Sequence, residues 1–159
     1  MINKKYSFLF LILALCAISC RSTRSSIEYN QQEKANKVIK TARSYLGVHY
    51  KYGGTSKSGI DCSGLLINSF KSINLTIPRT SKQQSKLGSE IKLKNIQKGD
   101  LVFFSAKKNR KKISHVGLVT EASGKKIKFI HSSTSLGVVE DNLLAPHYID
   151  RLVTIRRIF

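Results

Sequence analysis

From residue 35 the apolar positions of the chain recur with a helical period. Ala35, Val38, Ile39, Ala42, Tyr45 and Leu46 share one face at 3.6-residue spacing, and Gly47 follows as a stop signal. The pattern predicts an opening helix with that face in the core. A polar, glycine-containing stretch through Tyr50-Lys51-Tyr52-Gly53-Gly54 leads to Asp61, after which Leu65, Leu66, Ser69, Phe70 and Ile73 again fall on one helical side. Asp61 therefore stands where an N-cap belongs, with Cys62 in the first turn. Beyond about residue 90 strand-like runs take over, near 101–105, 115–120, 126–132, 137–140 and 150–158.

Two of these runs carry histidines. Residues 115–120 and 126–131 read as strands joined by a turn at 121–125 that contains Ser123-Gly124. An odd-numbered loop centred on Ser123 sets 119 against 127, 117 against 129 and 115 against 131. His115 and His131 then face each other on one side of the sheet, their Cβ atoms about 5 Å apart, with small Gly117 opposite Phe129 leaving space beside them. A two-residue loop shifts the register by one and sends the two histidines to opposite faces.

Length and the N-terminus set the frame for this pattern. A chain of 159 residues suits one domain with a single core. Lys4 and Lys5 followed by an apolar run at 8–18 read as a signal segment, too short to span a membrane and outside the fold. Ser19 before Cys20 resembles a lipoprotein cleavage site, with Ala17 where leucine is usual; Cys16, preceded by bulky Leu15, is the poorer site. The expectation is a signal peptide at 1–19, a lipidated Cys20, a tether to about residue 30, and a domain at 31–159. Two or three acyl chains on Cys20 anchor a protein stably, whereas one chain gives marginal binding. An ordinary cleaved signal that leaves Cys20 free is the alternative. The tether's ten residues reach at most about 35 Å, so the domain works near its membrane. Arg21 is not the aspartate that retains lipoproteins in the inner membrane, which favours the periplasmic face of an outer membrane.

Charge narrows the partners. The chain carries 28 basic and 9 acidic residues, a net charge of +19. Loss of residues 1–19 removes Lys4 and Lys5 and no acid, leaving +17. Such a protein concentrates at polyanions. No helix-turn-helix, finger or aromatic-basic motif accompanies the charge, so nucleic acid is not expected, and wall carboxylates and anionic lipid headgroups are. The basic run from Lys107 to Lys112 reads as a solvated loop between strands, with a docking patch as the sharper alternative.

Cysteine usage adds the chemistry. With Cys16 removed and Cys20 lipidated, Cys62 has no disulfide partner. Its neighbours are Asp61, Ser63 and Gly64 rather than the apolar residues around a structural thiol. A helix start favours thiolate over thiol, while the Asp61 charge opposes it, so a basic partner is needed. Of His49, His115, His131 and His147, the shared sheet face selects His115 and His131; the other two have no supporting context. A Cys-His-His metal site competes with this reading, but zinc sites supply more ligands at closer spacing. No metal or cofactor is expected.

Several ordered segments together resemble the NlpC-type papain-like cell-wall cysteine peptidases, nearest to the murein endopeptidase lipoproteins of the Spr kind. They are Leu46-Gly47-Val48-His49-Tyr50-Lys51-Tyr52-Gly53-Gly54, Gly59-Ile60-Asp61-Cys62-Ser63-Gly64, Pro78-Arg79-Thr80-Ser81, Gly99-Asp100-Leu101-Val102-Phe103-Phe104, His115-Val116-Gly117 and Phe129-Ile130-His131. The resemblance covers about residues 35–159 and implies a single papain-like α+β domain, with N-terminal helices packed on a central antiparallel sheet. It implies Cys62 as nucleophile, His115 as general base and acid, His131 orienting His115, and Tyr50 binding the oxyanion beside the Cys62 N–H. Asp61, Ser63 and Arg79 would shape substrate binding. For Tyr50, and more so for Tyr52, plain core packing competes with a functional role. The implied substrate is a peptidoglycan stem peptide, cut at the D-alanyl to diaminopimelate cross-link by preference or at the D-glutamyl to diaminopimelate bond; the sequence does not fix the oligomeric state, and a monomer is favoured. A catalytically silent wall-binding lipoprotein is the alternative of another class.

Overall fold

The computed structural model describes residues 28–108, 110–124 and 126–159. The signal at 1–19, the lipidation site Cys20 and most of the expected tether lie outside the described residues. Residues 28–33 are helical, so regular structure starts before the tether was expected to end. From Lys34 the chain forms one compact unit.

That unit opens with α1 (34–43), on which Ala35, Val38, Ile39 and Ala42 are buried as their spacing predicts. The helical period stops at 43, and the turns that follow carry Leu46 outward to 50 % exposure, correcting its assignment to the core face. A small antiparallel ribbon, β1 (Thr55–Ser56) with β2 (Gly59–Ile60), leads directly into α2 (Cys62–Lys71). After α3 (Ser81–Gln84) come β3 (Ser89–Glu90), β4 (Leu101–Ser105), β5 (Ile113–Ser123), β6 (Lys126–Ser133), β7 (Gly137–Asn142), α4 (Pro146–Ile149) and β8 (Leu152–Arg157). The last six strands form one antiparallel sheet in the order β3-β8-β4-β5-β6-β7. The fold is α+β, with the longer helices ahead of the six-stranded sheet.

Alternation along the strands gives the sheet two buried faces. Leu101, Phe103, Val116, Leu118, Ile130 and Val138 point to one, where they pack with Val38 of α1 and Leu65, Leu66 and Phe70 of α2. Val102, Phe104, Val119, Ile127, Phe129 and Ile155 point to the other, which Leu143 and Tyr148 help to cover. Each large side chain fully buried in this way is worth about 1.5–3 kcal/mol. A slip of one residue in any strand would exchange the two sets, so both faces pin the register.

The hairpin joining β5 and β6 differs from the sequence expectation and yet delivers its consequence. Ser123 pairs with Lys126, so only two positions separate the strands. That register, continued unbroken, would place His115 and His131 on opposite faces. It is broken once: Ala122 pairs with Ile127 and Glu121 with Lys128, but Val119 pairs with Phe129, leaving Thr120 as a bulge. The extra residue restores the parity that the short loop removed. Phe129 thus faces Val119, not Gly117, and there is no free space at Gly117. A Cβ there would come within 2.5 Å of the Phe129 ring, so glycine lets that ring lie across the strand.

Candidate active site

Cys62 is the first residue of α2, and Asp61 caps the helix by accepting a 2.7 Å hydrogen bond from Gly64 N–H. The cap holds the turn through which the thiol is presented. Cys62 is buried and its sulfur lies among core residues of the α2 side of the sheet. Burial pushes its thiol above the ordinary range, and the Asp61 charge adds to this; the N–H groups of Val116, Ser63 and Cys62 itself work the other way without prevailing. The resting group is a thiol: the helix start does not prevail over burial and Asp61, and deprotonation falls to a basic partner. Val116 follows His115 in β5, so the strand that carries the histidine also runs against the sulfur. Among the described residues no hydrogen bond joins Cys62 to His115.

His115 and His131 meet on the opposite face of the sheet, diagonal to one another across β5 and β6. His115 Nε2 stands 2.8 Å from His131 Nδ1, and the rings are at 87°. His131 is stacked on Phe129 at 4.8 Å between centroids, which fixes its plane. Its other nitrogen, Nε2, lies 2.9 Å from Asp141 Oδ2, and the Tyr148 hydroxyl donates to the same carboxylate oxygen at 2.5 Å. Burial, reinforced by His131, holds His115 down to about 3, so its ring is neutral at physiological pH. Burial also lowers His131, against the opposing pull of Asp141. For Asp141 the bonds from Tyr148 and His131 outweigh burial and leave the carboxyl below its usual range. Asp141 ionised can only accept, so His131 Nε2 donates to it and His131 Nδ1 must accept from His115 Nε2–H. The His115 Nδ1 lone pair is left without a proton.

Asp141, Tyr148 and their roles were not found in the sequence. Asp141 sits on β7 opposite Phe129, a partner no spacing rule gives without the register. The same holds for His147, which the sequence left without context and which edges onto Tyr148 at 4.9 Å beside the histidine pair. His49 is exposed, with its Nε2 beside Gly59.

The remaining expected site residues surround Cys62. Arg79 pairs with Asp61 at 2.5 Å and donates to Ser63 Oγ at 2.8 Å, so all three form one network under the helix start. Burial raises the Asp61 carboxyl, but the Arg79, Gly64 and Ser63 bonds outweigh it and bring it below the usual range. Tyr50 is half-buried and bridges to Ile60 just ahead of α2. Burial and then the neighbouring Cys62 and Asp61 charges raise its hydroxyl, which stays a donor. Tyr52, for which core packing was favoured, is 88 % exposed and belongs to no core.

A cysteine at the start of a helix laid on an antiparallel sheet, with a hydrogen-bonded imidazole pair on that sheet, defines the papain-like class of cysteine peptidase. The chain belongs to the NlpC/P60 family, whose profile matches residues 47–157. It is 31 % identical over 147 residues to the murein DD-endopeptidase MepS/murein LD-carboxypeptidase of Escherichia coli K12, covering 86 % of this chain and 74 % of that protein. It is 34 % identical over 130 residues to the gamma-D-glutamyl-L-lysine dipeptidyl-peptidase of Bacillus subtilis, covering 81 % of this chain but 43 % of that one. Among solved structures, an NlpC/P60 family protein from Bacillus cereus superposes with a TM-score of 0.71 at 34 % identity, over 78 % of this chain and 40 % of that chain. The peptidoglycan hydrolase RipB of Mycobacterium tuberculosis, 24 % identical with a TM-score of 0.66 over 82 % of this chain and 67 % of that chain, shares the fold.

Proposed function

We infer that the protein is a peptidoglycan endopeptidase that hydrolyses peptide bonds of cell-wall stems or cross-links, with Cys62 as nucleophile. The reading is carried by the line His115–His131–Asp141, in which contacts of 2.8 and 2.9 Å leave His115 Nδ1 as a free base beside the strand that touches Cys62. The reaction requires the His115 ring to reach the sulfur, which the Val116 N–H holds one residue further along the same strand. His115 takes the thiol proton as sulfur attacks the carbonyl, and the new imidazolium is stabilised through His131 by the Asp141 charge. The Cys62 N–H and the protonated Tyr50 hydroxyl are suited to bind the oxyanion. Collapse of the tetrahedral intermediate breaks the peptide bond, and His115 returns the proton to the leaving amine. Water then repeats the sequence on the thioester. Asp141 and Tyr148 act as positioning residues. Arg79 holds Asp61 and Ser63 in place and, being partly exposed, is suited to meet substrate.

The favoured bond is D-alanyl to diaminopimelate, in keeping with the murein DD-endopeptidase among the relatives, and the D-glutamyl bond is the alternative that the Bacillus relative suggests. A lipid on Cys20 would hold the domain at the periplasmic face of its membrane. The test is digestion of purified sacculi by wild type and Cys62→Ala, followed by mass analysis of the muropeptides. Loss of cross-linked dimers with intact stems is expected from wild type only. Stems cut after D-glutamate would replace the bond, and identical products from both proteins would remove Cys62 from the mechanism.

A further inference from the structure

A cavity of about 390 Å³ opens on the face of the sheet that carries the histidine pair. His115 and Ser114 form one wall, Ser133 and Thr134 another, and His147 and Arg151 close it; no Asp or Glu is among its described lining residues. Arg151 uses one Nη to donate to the His147 carbonyl, and among the described residues it makes no ion pair. Asp150, the acid beside it in sequence, is taken up by Lys108 at 2.7 Å. The exposed basic run that begins at Lys107 starts from Ser105 and Ala106 at the cavity's edge. The cavity is therefore a neutral-to-cationic chamber with a guanidinium that has no carboxylate partner among the described residues, and its other polar walls are imidazoles and hydroxyls.

Its position says which part of a substrate it would meet. Cys62 does not line it and His115 does. In the proposed mechanism the group next to His115 at bond cleavage is the leaving amine, so the chamber lies on the leaving side. The two candidate bonds differ there in one chemical respect. The amine released from a D-alanyl to diaminopimelate cross-link sits on a carbon that bears a free carboxylate. The amine released from the D-glutamyl bond sits on a carbon whose carboxyl is tied up in the next peptide bond in any stem that continues past that residue.

Resting on the endopeptidase reading above, we propose that this chamber is a carboxylate-recognising subsite in which Arg151, supported by His147 and the hydroxyls of Ser114 and Thr134, selects substrates whose leaving amine carries a free α-carboxylate. A guanidinium suits a carboxylate because two of its N–H groups can donate in parallel to the two oxygens. The neighbouring lysines add long-range attraction without geometry.

The test uses full-length protein in detergent and two synthetic cross-linked stem dimers, one with the free carboxylate beside the scissile amine and one with a carboxamide there. Wild type is expected to favour the carboxylate form by roughly tenfold to hundredfold in kcat/KM. Arg151→Gln should lose that factor on the carboxylate form and treat both dimers alike, while Arg151→Lys should restore part of the preference. Equal rates on both dimers by wild type, or an equal loss on both with Arg151→Gln, would overturn the subsite. A wild type that leaves both dimers intact and trims single stems after D-glutamate would instead refute the bond assignment on which the subsite rests.

Discussion

Asparagine at position 141 would match aspartate in size but could donate to His131 Nε2, which reverses every proton along the line. His131 would then carry its proton on Nδ1 and give it to His115 Nε2, and His115 Nδ1 would hold a proton where a base is required. Asp141→Asn is expected to lower kcat by about 10²–10⁴-fold, the upper end being the loss that follows when a triad carboxylate is turned to amide, with little change in KM. Two-bond proton–nitrogen spectra of the histidine rings would report the tautomer directly, and unchanged ring spectra would dissociate Asp141 from it. Tyr148→Phe removes one donor to Asp141 and should cost less. At Cys62 the raised thiol predicts slow alkylation by iodoacetamide at neutral pH, with a rate that climbs only above the ordinary thiol range. A plateau at pH 7 would contradict a resting thiol.

At the scale of elements the β5–β6 hairpin does the positioning. The five longer strands, the helix faces apart from Leu46 and the N-cap at Asp61 were legible, because each follows from local periodicity or from one side chain's chemistry, whereas the two-residue strands β1, β2 and β3 carry no period to read. The pairing of His115 with His131 was legible only in outcome. The sequence argument reached it through a symmetric odd loop, whereas the chain uses a two-residue loop and a bulge at Thr120. No local signal marks that bulge, since Thr suits a regular strand equally well. Asp141 stayed hidden for a related reason, its partner being set by the β6–β7 register. Deleting Thr120 should turn His115 to the other face and abolish activity, and circular dichroism would show how much sheet survives. Thr120→Val should retain activity, because its buried hydroxyl has no hydrogen-bond partner among the described residues and the backbone makes the bulge. Gly117→Ala should destabilise the sheet by about 1–3 kcal/mol as its Cβ meets Phe129, read as a lower midpoint in urea. Insertions in this hairpin are tolerable to the site in even numbers, or singly if a second bulge goes with them.

For the molecule as a whole, the buried histidines set the response to acid. His115 titrates at about 3 when folded and near 6.5 in the ordinary case, so between those values the unfolded chain binds the extra proton. Stability is complete above about 6.5 and falls as pH drops toward 3, by up to ~1.4 kcal/mol per pH unit for this histidine. His131 shifts the same way. The lowered Asp61 and Asp141 add to the loss near its acid end. Thermal unfolding followed from pH 8 to 4 should show a flat Tm above 7 and a steady decline below. Acid therefore threatens the fold through the same groups that serve the reaction. The sheet has one further consequence. Cys62 belongs to the core on one side of it, while His115 packs on Phe104 of the core on the other, so nucleophile and base hang on two separate packings that meet at the β5 backbone beside Val116. Warming that loosens either layer would separate nucleophile from base before the strands part, and inactivation should precede the loss of secondary structure on a temperature ramp.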